Sequence, residues 1–407
     1  MKDDDKNTEI KFSNWKRKTT LFLLGQAVSL FGSSLVQFAI IWHITLTTRS
    51  GIMITVATIC GFLPQILISL FAGVWADRFN RKFLIICSDS LIALSTLILA
   101  IFFLIGYDSL GLLFVISGVR SLSTGVQTPA INALVPQIVP EDKLIKINGI
   151  NGSVQSLIML LSPALSGALM TLSTLPVIFF IDVGTAFIGV SILLTISVPT
   201  HKKAEEKQNR SYIKDLSEGL NYVRKSAFIK SLLVFYSLFS FLIVPAAFLS
   251  PLMVARSFGE EVWRLTANEM TFFGGSIIGG FIIASWGGFK NKIYTVGFSC
   301  IGFGVMTVLL GVSKVFIIYL IMMFITGIFM PIFNSPAITL IQEKVEQDMQ
   351  GRIFSLVQIV STSVMPLGML IFGPAADVFK IELMLDITGV LMCVTGVWVF
   401  YNRDFKG

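Results

Sequence analysis

Charge is the scarcest property of this chain: only 14% of its 407 residues are Asp, Glu, Lys or Arg, where a soluble protein carries about 25%. Histidine is nearly absent, with His43 and His201 far apart and sharing no ligand spacing. The four cysteines, Cys60, Cys87, Cys300 and Cys393, each sit alone in an apolar run with no C-x-x-C pair. Neither a disulfide framework nor a zinc site is implied, and packed thiols are the expectation. No G-x-x-x-x-G-K-[ST] loop occurs, so ATP is not the direct energy source. No cofactor, metal site or clustered catalytic groups are expected, which argues against an enzyme. What is present in excess is apolar: 54% of residues are hydrophobic, 35 of them Phe. A nucleic-acid-binding domain, a soluble enzyme on a single anchor and a secreted scaffold are all excluded.

A bilayer-spanning helix needs about 20 apolar residues. Runs of that kind fall at 19–46, 52–76, 83–106, 110–138, 147–171, 175–198, 229–254, 266–288, 293–311, 315–340, 353–378 and 382–401. The expected fold is therefore all-α and integral to the membrane, with twelve transmembrane helices. The charged stretch 1–18 is followed by a long apolar run without a small-residue cleavage site, so it reads as a cytosolic tail before a first anchor. With the N-terminus inside, 25 of the 31 Lys and Arg fall in cytoplasmic segments and five outside, which places both termini in the cytoplasm. The +7 net charge is thus topological, with anionic lipid as its neighbour and no nucleic acid.

Residues 199–228 separate two sets of six spans, 19–198 and 229–401, and 402–407 forms a short cytosolic tail. The linker opens on Pro199 and continues as an amphipathic helix through Tyr212, Leu216, Leu220 and Val223. It is too short to fold as a domain of its own. The halves repeat: Thr128-Pro129-Ala130-Ile131-Asn132 is echoed by Ser335-Pro336-Ala337-Ile338-Thr339, and Val154-Gln155 before Pro163 by Val357-Gln358 before Pro366. Two matches at nearly one offset suggest a duplicated six-helix unit.

The densest cluster of chemistry is Gly73-Val74-Trp75-Ala76-Asp77-Arg78-Phe79-Asn80-Arg81-Lys82, in the turn between spans 2 and 3. A small residue permits close helix approach, and the carboxylate and guanidinium groups can make charged contacts that form in one state and break in another. A plain basic loop would explain Arg78, Arg81 and Lys82 but not Gly73 and Asp77. The stretch resembles motif A of the major facilitator superfamily, with Asn80 where that family commonly has Gly and Leu84 where it often has a basic residue. The resemblance implies two six-helix bundles, and makes Gly73, Asp77, Arg78, Arg81 and Lys82 a conformational latch. The pattern of Gly25 to Leu30, Gly61 to Pro64, Arg120-Ser121 leading to Thr128 to Ala133, Val139 to Glu141 and Gly351 to Leu356 is most similar to Mef-type macrolide efflux proteins. That implies drug export by proton antiport, with a hydrophobic small molecule and protons as partners. An endogenous metabolite or siderophore exporter is the alternative. A monomer in a bacterial plasma membrane is expected.

Arg120 lies near the middle of span 4, where a cation is costly unless it faces protein or water. Ser117, Arg120, Thr124, Gln127 and Thr128 share one helical face. Span 1 carries a comparable stripe at Gln26, Ser29, Ser33 and Gln37, and span 10 a thinner one at Thr326, Met330 and Asn334. By the resemblance, spans 1, 4, 7 and 10 line a substrate cavity, to which Tyr236 is added. The competing reading is polar glue between packed helices. The proton-coupling candidates are Glu269 first, then Asp89 and Asp182, while span 1 holds no acid. Gly373-Pro374-Ala375-Ala376-Asp377 looks like the Gly73 motif but falls at the other end of a span, and is read as coincidence.

Overall fold

The computed structural model describes residues 14–198 and 212–405; the linker stretch that includes His201 lies outside them. Fifteen α-helices are described: α1 Trp15–Thr48, α2 Gly51–Arg78, α3 Arg81–Leu104, α4 Leu110–Ile138, α5 Leu144–Leu172, α6 Leu175–Thr195, α7 Tyr212–Lys225, α8 Ala227–Leu242, α9 Val244–Phe248, α10 Ser250–Ser257, α11 Val262–Trp286, α12 Lys292–Val312, α13 Phe316–Lys344, α14 Gln347–Val378 and α15 Ile381–Tyr401. No strand occurs among the described residues, as expected where lipid offers the backbone no partner and each segment must bond to itself. Side chains close several helix starts. Asn80 accepts from the Phe83 N–H at 3.3 Å, Ser226 from Ile229 at 3.3 Å and Asn291 from Ile293 at 3.2 Å. Gly287 ends α11 in the left-handed conformation at φ 75°, which a Cβ would disfavour.

Eleven of the described helices are long and apolar enough to cross a membrane. The run at 229–254, expected as one span, is three helices, of which the longest has 16 residues. Pro245 and Pro251 are the physical cause, since each lacks an N–H and sits in the first turn of a new helix. Bonding resumes on either side, Ala247 N–H to Ile243 O at 2.9 Å and Met253 N–H to Leu249 O at 2.8 Å.

The chain forms two compact units. The first holds α1 as far as His43 and continues from Val56 through α6; the second holds Ile44–Thr55 and α7 to α15. In the first, α3 packs on α4 and α6. In the second, α12 packs on α13 and α15, the same pairing of third, fourth and sixth spans. The core of the first gathers Phe22, Ile85, Leu134 and Leu193. That of the second is aromatic, with Phe239 stacked on Phe333 at 3.9 Å between ring centroids. α7 belongs to the second unit, where Tyr222 and Val223 pack on this core and Glu218 pairs with Arg352 at 2.8 Å.

Polarity along α3 runs opposite to that of a soluble helix. Asp89, Ser95 and Thr96 are buried, while Leu91, Leu94, Ile98 and Ile101 are exposed at three- and four-residue spacing. Such an arrangement is stable only where the outer solvent is apolar. Small residues then let helices approach. A Cβ on Gly275 or Gly279 of α11 would run into the Phe324 or Ile328 carbonyl of α13, and one on Gly327 of α13 into that of Phe272.

Candidate functional site

The polar face of α4 divides inside the first unit. Arg120 turns away from solvent: its Nη1 lies 2.5 Å from Asp182 Oδ2 on α6, with 8% and 0% of the two side chains exposed. The same nitrogen meets Thr96 Oγ1 of α3, and Nη2 donates to Ser33 O of α1 at 3.3 Å. Ser33 Oγ reaches Asp182 Oδ1 at 3.1 Å. Four helices therefore converge on one neutralised pair, as burial of a charge requires. Arg120, expected among the cavity residues, does not line the cavity found here.

One turn and more along α4, Gln127 Nε2 donates to Asp89 Oδ1 at 2.6 Å, and Ser29 Oγ donates to the same oxygen at 3.0 Å. Asp89 is 1% exposed and its second oxygen, also buried, has no hydrogen-bond partner among the described residues. No basic side chain among the described residues is bonded to it. Beside it opens a cavity of about 160 Å³. Gln26, Ser29, Ser33, Thr124 and Gln127, from the polar stripes of α1 and α4, line it. Sequence reasoning missed Asn132, Asn151 and Gln155, which complete its wall. The signal was there: Asn132 lies in the first repeat motif, and Asn151 and Gln155 are one turn apart on α5. Gln37 is exposed and lies outside this cavity.

The remaining candidates belong to the second unit. Tyr236 and Met330 pack against its aromatic core, Tyr236 at 5.8 Å from Phe333, and Asn334 is half-buried. Glu269 accepts from Asn268 Nδ2 at 3.3 Å, and Asn268 in turn accepts from Tyr319 OH at 3.0 Å. This is a neutral network, again without a cation bonded to the acid among the described residues.

In the turn from Gly73 to Lys82, the basic residues close helix ends within the first unit. Arg81 donates to Ala76 O at 2.9 Å and Ala133 O at 2.7 Å, while Lys82 donates to Leu194 O at 2.9 Å and Ile196 O at 2.8 Å. Lys82 thus satisfies the carbonyl end of α6, where a cation is favoured. Asn80, at the position where the family commonly has Gly, is the α3 cap already described. Arg78 is exposed, the Asp77 side chain lies outside the described ones, and no described heavy atom lies within 4 Å of a Cβ on Gly73.

The motif ending at Asp377, read from sequence as coincidence, has a clear physical role in the second unit. Its carboxylate accepts from the Gly51 N–H at 2.7 Å, the Ile52 N–H at 3.0 Å and Ser50 Oγ at 2.8 Å, capping α2. Arg256 donates to it at 2.9 Å and to Ala376 O at 2.5 Å. A Cβ on Gly373 would collide with Thr55, so the small residue four positions earlier is required for the approach. Thr55 Oγ1 also reaches Met369 O at 3.1 Å.

Residues 22–401 match the sequence family described as the Major Facilitator Superfamily. The chain is 29% identical over 399 residues to macrolide efflux protein A of Streptococcus pyogenes, covering 97% of this chain and 98% of that one. It is 23% identical over 403 residues to the staphyloferrin A transporter of Staphylococcus aureus, covering 95% and 97%. Its backbone resembles that of nucleoside transporter NupG, with a TM-score of 0.68 at 13% identity over 96% of this chain and 98% of that one; this likeness concerns the fold alone.

Proposed function

The chain belongs to the major facilitator superfamily, and from that premise we propose that it exports amphipathic drugs, macrolide antibiotics foremost, from the cytoplasm in exchange for protons. It is a multi-pass membrane transporter rather than an enzyme. In this reading both termini face the cytoplasm of a bacterial cell, the protein acts as a monomer by alternating access, and the turn from Gly73 to Lys82 serves as its latch. The gradient of protons is the energy source, without a cofactor.

The observation that carries the reading is Asp89. It lies behind Ser29 and Gln127 of the cavity wall, bonded only to neutral donors and with one buried oxygen unpartnered among the described residues. A carboxyl held by neutral donors can gain or lose a proton without stranding a partner charge. Asp182 cannot, since protonation would leave Arg120 buried and unpaired. Asp89 therefore takes the proton in this reading, ahead of Glu269, which shares the neutral surroundings but not the cavity. Similarity to macrolide efflux protein A supports the cargo.

The test is uptake of a labelled macrolide by everted vesicles with and without a pH gradient. Gradient-dependent accumulation is expected, and accumulation that ignores the protein at every gradient sinks the proposal. A siderophore exporter is the second reading, favoured by the similarity to the staphyloferrin A transporter; secretion of an iron chelator that stops on gene deletion would select it.

A further inference from the structure

The cavity beside Asp89 is too small for a whole drug. Its volume of about 160 Å³ equals about five waters at roughly 30 Å³ each, whereas pockets for drug-sized ligands run from about 300 to 1,000 Å³. A space of that size suits one appendage of a larger molecule.

The wall describes that appendage. Five primary amides contribute to it, Gln26, Gln127, Asn132, Asn151 and Gln155, and no charged side chain does. Gln127 is committed through its nitrogen to Asp89. Asn132, Asn151 and Gln155 make no side-chain hydrogen bond among the described residues. Amides that bridged packed helices would be bonded to protein, so the glue reading fails for these three. Unspent amides on membrane helices face water or a ligand that bonds to them. Each offers two N–H donors and a carbonyl acceptor at one point, a complement to hydroxyl groups, which also donate and accept. A carboxylate or ammonium would instead call for an opposite charge. Ile92 and Ile131 supply apolar wall for the carbon face of a ring.

We propose that this cavity is a subsite for a neutral, hydroxyl-bearing ring the size of one sugar, carried as a substituent of the exported compound and held by Asn132, Asn151 and Gln155. The inference rests on the export reading and makes glycosylated molecules the preferred cargo.

The experiment compares vesicle transport of a sugar-bearing macrolide with that of its sugar-free macrolactone, in the unmodified protein and in Asn132→Leu with Gln155→Met. The double variant is expected to raise KM for the glycoside about tenfold, the loss of one to two net hydrogen bonds, and to shift KM for the macrolactone much less. Equal shifts for both compounds, or none for either, overturn the subsite while leaving export intact. Transport of neither compound by the unmodified protein removes the export reading and the subsite with it. Gln155→Cys gives a second measure that does not depend on the double variant folding. The glycoside is expected to slow its labelling by a polar thiol reagent and the macrolactone is not; equal protection by both overturns the proposal.

Discussion

Arg120 and Asp182, 62 residues apart, meet at 2.5 Å between α4 and α6, with Thr96 and Ser33 completing the shell. Pairing is what allows an arginine at mid-membrane, so the first effect of breaking it is on folding. Asp182→Asn strands the guanidinium and is expected to cost about 3–5 kcal/mol. Arg120→Ala strands the carboxylate at a similar cost. Arg120→Met combined with Asp182→Leu removes both charges and should recover much of the loss. Melting in detergent, followed by size-exclusion fluorescence, checks the ordering; a double variant no better than the singles would refute it.

Asp89 supports a different outcome. Asp89→Asn keeps the volume and cannot exchange a proton, so reconstituted protein should still move a labelled macrolide down its gradient. Accumulation against the gradient should be lost at every imposed pH difference. Uphill transport that survives in Asp89→Asn transfers the role to Glu269, where Glu269→Gln is the corresponding measurement.

Asp377 closes the start of α2 with two backbone hydrogen bonds and one side-chain bond. Removing a cap costs about 0.5–2 kcal/mol, and Asp377→Ala also removes the ion pair of Arg256, which keeps its bonds to the Arg49 and Ala376 carbonyls. Destabilisation by about 2 kcal/mol is expected for Asp377→Ala and less for Asp377→Asn, which keeps an acceptor. Chemical or thermal unfolding reads both, and an Ala variant as stable as the original would remove the capping role.

Adjacent glycines in α11 should respond with opposite sign. Gly279 abuts the Ile328 backbone, while no described heavy atom lies within 4 Å of a Cβ on Gly280. Gly279→Ala is expected to lose about 1–3 kcal/mol by forcing α13 away. Gly280→Ala is expected to gain about 0.5–1 kcal/mol from reduced backbone freedom. Paired melting curves decide it.

Much of this arrangement was legible in the order of residues. Long apolar runs marked the helices, and three- and four-residue spacing marked the stripes whose members Gln26, Ser29, Thr124 and Gln127 share one cavity. Periodicity assigns a face to a residue but not a partner to its charge. Arg120 lies on the polar stripe, yet the compensating carboxylate comes from α6, and nothing local signals that distance. The run at 229–254 looked continuous because hydropathy does not register the missing N–H of Pro245 and Pro251. The motif ending at Asp377 reads as coincidence in the sequence because its value depends on Gly51, which no spacing rule connects to it.

That last contact has a consequence for biosynthesis. The Gly51 amide and the Asp377 carboxylate that caps it are 326 positions apart. At about 5–20 residues per second, roughly 15–65 s of translation separate the emergence of the amide from that of its acceptor. During that interval the first helical hairpin is inserted with the start of α2 unsealed, and only the end of the chain completes it. A ribosome that stalls after α13 would therefore leave a protein whose earliest turn is still unfinished.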